Sequence, residues 1–204
     1  MKPSAKNIFG LLLAATAWFS VILQWFLTKG STANFLSYFT VLCNILVALS
    51  LSCSILMPGS VAGRFFSKLT VQSAIALYIF IVGLTYNLIL RGVWDPKGWQ
   101  LIVDNLLHVA VPLLYLAYWT FFRSPGNLQW KDGLYWIAFP FAYLVYSLVR
   151  GAVINWYPYP FLNVTDHGYS KVAVNICVMI GAFFIAGIAF IALTRIDMKK
   201  KAVT

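Results

Sequence analysis

Six long apolar runs separated by short polar breaks organise this chain: residues 8–28, 32–57, 70–90, 101–122, 133–151 and 170–194. Each is close to or above the roughly 20 residues a helix needs to cross the hydrocarbon core of a bilayer. The breaks carry turn chemistry, as in Lys29-Gly30-Ser31, Met57-Pro58-Gly59, Trp94-Asp95-Pro96-Lys97-Gly98 and Arg123-Ser124-Pro125-Gly126. The pattern predicts an all-α protein, one integral membrane bundle of six transmembrane helices over residues 1–204. The first run is longer than the apolar core of a signal peptide and is read as an uncleaved helix.

Composition agrees with the pattern. Of 204 residues, 61% are hydrophobic and 10% charged, which excludes an ordinary soluble domain. Fifteen Lys and Arg against five acids, all aspartate, give a net charge of +10. On a soluble protein that excess would suggest nucleic acid, but here its distribution sets topology instead. Ten of the fifteen fall on the side of the N-terminus, against Lys29, Arg91, Lys97, Arg150 and Lys171 on the other. Both termini are therefore expected in the cytoplasm, with Lys199-Lys200-Lys201 meeting the anionic leaflet. Cys43, Cys53 and Cys177 lie within apolar runs and read as core residues, neither disulfides nor zinc ligands.

Against this background, polar residues inside the runs carry information. The fourth run holds Asp104, His108 and Pro112 at four-residue intervals. Asp104 and His108 share a helical face, where a carboxylate could orient the imidazole ring. Pro112 has no N–H for the His108 carbonyl, so the helix is expected to bend and expose an acceptor beside that ring. An ionisable group at this depth costs roughly 2.5–3.5 kcal/mol, which favours a functional role. The plainer alternative is a neutral His108 bonding across to another helix.

With orientation assigned, depth follows. Thr40 lies about six residues past the expected start of the second helix near Asn34, roughly 9 Å down, and His108 about eight past Gln100, roughly 12 Å down. Thr85, Asn87, Arg150 and Asn175 share this outer half. In the second helix, Ser37, Thr40 and Asn44 form one stripe. The Thr40 hydroxyl alone reads as bonded to the Leu36 carbonyl, whereas the Asn44 amide could serve a neighbour or a developing oxyanion. Pro140 should kink the fifth helix. The 153–161 segment alternates aromatics and prolines. It reads either as an aromatic belt or as a lid, with Tyr157 and Tyr159, that shields an acyl chain. Asn163-Val164-Thr165 matches a glycosylation sequon. Gly181, Ala182, Ala186 and Gly187 permit close packing of the sixth helix. There is no internal repeat, phosphate loop or dinucleotide fingerprint.

Three stretches carry a resemblance: Phe35-Leu36-Ser37-Tyr38-Phe39-Thr40 with Asn44, Asp104-Asn105-Leu106-Leu107-His108 with Pro112, and Tyr157-Pro158-Tyr159-Pro160-Phe161-Leu162. They resemble the bacterial predicted six-transmembrane-protein family. That family is similar to the eukaryotic androgen-induced and androgen-dependent membrane proteins, threonine hydrolases of fatty acid esters of hydroxy fatty acids. The resemblance implies Thr40 as nucleophile and His108 as its partner. It also implies a lipid or fatty-acid ester substrate in a bacterial inner membrane, and with the basic-residue bias the site is expected to open toward the non-cytoplasmic side. In that reading Asp104 fixes the ring tautomer, Asn44, Asn87 or Arg150 stabilises the oxyanion, and Tyr157, Tyr159 and Asn175 join the substrate-binding set. No cofactor, metal or nucleic acid is expected, and the oligomeric state is left open. The rivals are a metal-dependent hydrolase drawing in Asp166 and His167, a non-catalytic lipid or amphiphile binder or carrier, and a structural membrane protein.

Overall fold

The structure, a computed structural model, describes residues 4–124 and 126–203, with side chains described as far as residue 195. Lys2, Pro125 and the side chains of Lys199–Lys201 lie outside the described set. Among the described residues, six helices are long and apolar enough to cross a membrane: α1 (Ala5–Leu27), α2 (Phe39–Leu56), α3 (Leu69–Leu90), α4 (Trp99–Phe122), α5 (Trp130–Ile154) and α6, apolar over Val164–Arg195. Their ends follow local chemistry. Ser4 caps α1 by accepting from the Asn7 N–H, and Gln129 and Asp132 form a reciprocal capping box at the start of α5. Asn155 ends α5 in the left-handed conformation.

The second apolar run does not form one helix. A single turn, Thr32–Phe35, comes first, and α2 starts only at Phe39. The Ser37 hydroxyl bonds the Ala33 carbonyl at 2.6 Å, and the Ser37 and Tyr38 N–H groups bond carbonyls three residues back. These local bonds compete with the α ladder, and Tyr38 then turns extended. Thr40 is consequently the second residue of its helix, not the sixth or seventh. The Ser37–Thr40–Asn44 stripe is not a continuous helical face, because the helix breaks between Phe35 and Phe39.

Packing divides the chain into two compact units, residues 1–126 and 127–204. In the first, α1 packs on α2, α2 on α3, α3 on α4 and α4 on α1. The directions alternate. At one end Gly10 of α1 faces Ile55 of α2 and Tyr118 of α4. At the other, Val21, Phe35, Val41, Val103 and Leu107 close a core cluster. Side-chain bonds from Trp18 to Ser52 and from Trp119 to Ser73 tie the helices in register. The second unit holds α5, a 3₁₀ turn at Pro160–Leu162 and α6, whose second turn is interrupted at Gly168 (φ 72°, ψ 161°). Only glycine adopts that backbone conformation without strain.

Candidate functional site

The last turn of α3 and the middle of α4 are both wound wider than an α-helix. In α3 the turn Tyr86–Leu90 closes with the Arg91 N–H on the Tyr86 carbonyl, five residues back at 2.8 Å. In α4 the turn Leu106–Ala110 closes with the Val111 N–H on the Leu106 carbonyl. Such π turns accommodate one extra residue and recur at functional positions. Just beyond this turn Pro112 offers no N–H to the His108 carbonyl four residues back or to Leu107 five back.

Amide side chains from two neighbouring helices take both carbonyls. Asn44 Nδ2 donates to the Leu107 carbonyl at 3.2 Å and to the Thr40 carbonyl at 2.8 Å. Asn87 Nδ2 donates to the His108 carbonyl at 3.3 Å and to the Gly83 carbonyl at 2.7 Å. All four partners only accept, which assigns nitrogen rather than oxygen to these positions. The acceptor that Pro112 was expected to leave open beside His108 is thus filled by Asn87. Close approach permits this, because a Cβ on Gly83 would stand 3.2 Å from Pro112 Cβ and 3.3 Å from the His108 carbonyl oxygen.

The imidazole is held from two directions. His108 Nδ1 lies 2.9 Å from the Asp104 carbonyl oxygen and 3.3 Å from Asp104 Oδ1. A backbone carbonyl can only accept, so in the neutral ring Nδ1 carries the hydrogen and Nε2 keeps the lone pair. The other carboxylate oxygen, Asp104 Oδ2, accepts from the Tyr86 hydroxyl. The Tyr86 ring also stacks on His108, with centroids 3.9 Å apart and planes 14° from parallel. Asp104 is 2% exposed and the His108 side chain 13%, so the carboxylate is sealed while the ring keeps some open surface. Arg91 closes one edge, with Nη2 3.3 Å from Asn105 Oδ1 and the guanidinium 5.9 Å from the Tyr86 ring centre.

Thr40 is buried and joins this arrangement through Asn44, whose amide bonds the Thr40 carbonyl and the turn that carries His108. The α2 ladder begins with the Leu42 N–H on the Tyr38 carbonyl. The structure thus links Thr40 to the His108 turn through the Asn44 amide on backbone carbonyls, with Asn87 on the His108 carbonyl and Asp104 on its ring, all within the first unit. Asn44 Oδ1 is buried without a hydrogen-bond partner.

Arg150, Tyr157, Tyr159 and Asn175 belong to the second unit. The Arg150 guanidinium lies 4.7 Å from the Trp156 ring centre. Tyr157 packs on Gly151, where any Cβ would overlap its ring, and Tyr159 stacks on Phe161 at 5.2 Å and 8°. Asn175 Nδ2 donates to the Phe161 carbonyl at 2.9 Å. These contacts pin the aromatic loop to the helices of its own unit. Asn163 of the sequon caps α6, its Oδ1 accepting from the N–H groups of Thr165 and Asp166 at 3.0 and 3.3 Å. Among the described residues, no three His, Cys, Asp or Glu side chains gather where a metal ion could be held.

Sequence reasoning did not single out Tyr86, Arg91 or Asn105. The available signal was depth. Tyr86 and Asp104 each lie within about one turn of the same end of their apolar runs, which sets them level in antiparallel helices. No family model matches this chain, and no curated protein or solved structure matches it.

Proposed function

We propose that the protein is a membrane-embedded hydrolase of fatty-acid esters, akin to the six-transmembrane family it resembles, with Thr40 as nucleophile and His108 as base. The observation that carries this reading is the His108 ring with Nδ1 on Asp104, which leaves the Nε2 lone pair for proton transfer. Nε2 takes the Thr40 hydroxyl proton as Oγ1 attacks the ester carbonyl carbon. The tetrahedral intermediate collapses and expels the alcohol, which receives that proton. Water, deprotonated by Nε2, then attacks the acyl-threonine, releasing the fatty acid and restoring Thr40. Both hydrogens of the Asn44 and Asn87 amides are engaged by carbonyls, so these amides do not serve as oxyanion donors in this arrangement. The basic-residue bias supports cytoplasmic termini and a site in the outer half of a bacterial plasma membrane. A C-terminal reporter fusion active outside the cytoplasm would reverse that orientation.

The deciding experiment is ester hydrolysis by the purified protein. Thr40→Ala and His108→Ala should each lose about 10³-fold or more, and a wild-type rate in either variant ends the assignment. The engagement of both carboxamides favours one other reading, a non-catalytic amphiphile binder. Fluorophosphonate labelling separates the two. A hydrolase is labelled and loses the label in Thr40→Ala, whereas a binder takes up lipid without labelling.

A further inference from the structure

Tyr86 touches both members of the Asp104–His108 pair with different parts of one side chain. Its hydroxyl donates to Asp104 Oδ2, and its ring lies 3.9 Å from the imidazole centroid, nearly parallel. Each contact removes a separate freedom. A bond at Nδ1 fixes one point of the imidazole, but the ring can still rock about it, since rotation about χ2 of histidine is soft. A flat aromatic face at stacking distance fixes the plane. The Asp104 carboxyl rotates about an equally soft bond, and holding Oδ2 keeps Oδ1 toward Nδ1. Tyr86 is itself set by the α3 π turn, where its carbonyl accepts from the Arg91 N–H at 2.8 Å.

We infer that Tyr86 is a positioning residue for His108, holding the imidazole plane with its ring and the Asp104 carboxylate with its hydroxyl so that the proton stays on Nδ1 and the lone pair on Nε2. The inference rests on the hydrolase reading for its consequence but not for its geometry. Around the pair, Asn87 of α3 donates to the His108 carbonyl, and Arg91, the nearby positive charge, donates to Asn105 and lies against the Tyr86 ring.

The test uses the full-length protein in lipid nanodiscs with a histidine-free purification tag. The chain has two histidines, so a His167→Asn background leaves His108 alone in ¹⁵N-imidazole NMR. The reference protein should show the Nδ1–H tautomer. Tyr86→Phe keeps the stacked face and removes the hydroxyl. It should raise the Nε2–H form several-fold and lower kcat about 10-fold with KM unchanged. Tyr86→Leu removes both contacts and should mix the tautomers and lower kcat about 100-fold. Reference-like tautomer signals in both variants overturn the inference, and Tyr86→Phe decides alone should Tyr86→Leu not fold. If the wild type hydrolyses no ester, the hydrolase reading fails while the tautomer signal still decides the role of Tyr86.

Discussion

Helices α4 and α5 have 24 and 25 residues, nearly equal mean hydropathy and one proline each, yet 39% of the most apolar window of α4 is buried against 11% for α5. Their polar chemistry differs in the same sense. In α5 it lies toward the ends, in the Gln129–Asp132 capping box and in Arg150 against Trp156, with Ser147 as the one polar residue fully buried within the span. In α4 it sits within the span, where Asp104, Asn105 and His108 surround a π turn. A proline in a bilayer helix frees a carbonyl wherever it stands. What distinguishes α4 is that Asn44 and Asn87 of neighbouring helices supply donors and Tyr86 holds the side chains displayed there. Apolarity marks a span, whereas an opened backbone ladder with donors brought from other helices marks the position where polar side chains converge.

The sharpest way to break this comparison is to remove the acid from each helix. Asp104→Ala leaves the Tyr86 hydroxyl without its acceptor and takes Oδ1 from His108 Nδ1 in a buried setting, at an expected cost of about 3 kcal/mol. Asp132→Ala removes the 2.7 Å bond to the Gln129 N–H at an exposed helix start, a loss of about 1 kcal/mol. Denaturant or thermal unfolding in one detergent measures both. Equal losses would mean that the α4 cluster is no more constrained than an ordinary cap.

Next in size is the support each helix receives. Asn44→Ala deprives the Thr40 and Leu107 carbonyls of their donor at a fully buried position. It should cost about 1–2 kcal/mol, toward the upper end of interhelical hydrogen bonds in membranes, and should lower hydrolysis by loosening Thr40 from the α4 turn. Arg150→Ala gives up a cation–π contact with Trp156 worth about 0.5–1 kcal/mol. Hydrolysis that falls in the Arg150 variant and not in the Asn44 variant would move the site out of the first unit.

Much of this was legible in the sequence, and what was not has identifiable causes. Apolar runs located four of the six spans to within three residues at both ends, and missed the start of the sixth by six residues, because a bilayer span demands length and hydropathy above all. The second span failed for lack of any apolarity change at Ser37 and Tyr38. There a serine hydroxyl takes a backbone carbonyl, and hydropathy is blind to that. The spacing of Asp104, His108 and Pro112 exposed the pair and the freed carbonyl, since both follow from one helix. Tyr86 stayed hidden because its role depends on α3 lying against α4, and on a π turn that no residue type in α3 announces. The amides of Asn44 and Asn87 read as oxyanion donors for a related reason. Their backbone partners exist only once the α4 ladder is opened.

The smallest expected change in stability comes from the prolines, and it is the most discriminating about cause. Pro112→Ala returns an N–H four residues after His108, so the His108 carbonyl is offered a partner inside its own helix in competition with Asn87. The hydrogen bond gained is offset by packing lost against Gly83, and the net change should stay within about 1 kcal/mol, as it should for Pro140→Ala. The two variants should part on the chemistry. If Pro112 causes the π turn, its replacement lets Leu106–Ala110 wind as α-helix, and a helix turns about 100° per residue. Losing the extra residue therefore swings the Asp104 end of α4 relative to the segment beyond Pro112. His108 leaves the Tyr86 face, the Nε2–H tautomer rises and hydrolysis falls, all with little change in the unfolding midpoint. Pro140→Ala, in a helix that runs unbroken past its proline, should move neither reading. A Pro112 variant with the wild-type tautomer and rate would assign the turn to Asn44 and Asn87, which would then hold it open without help from the proline.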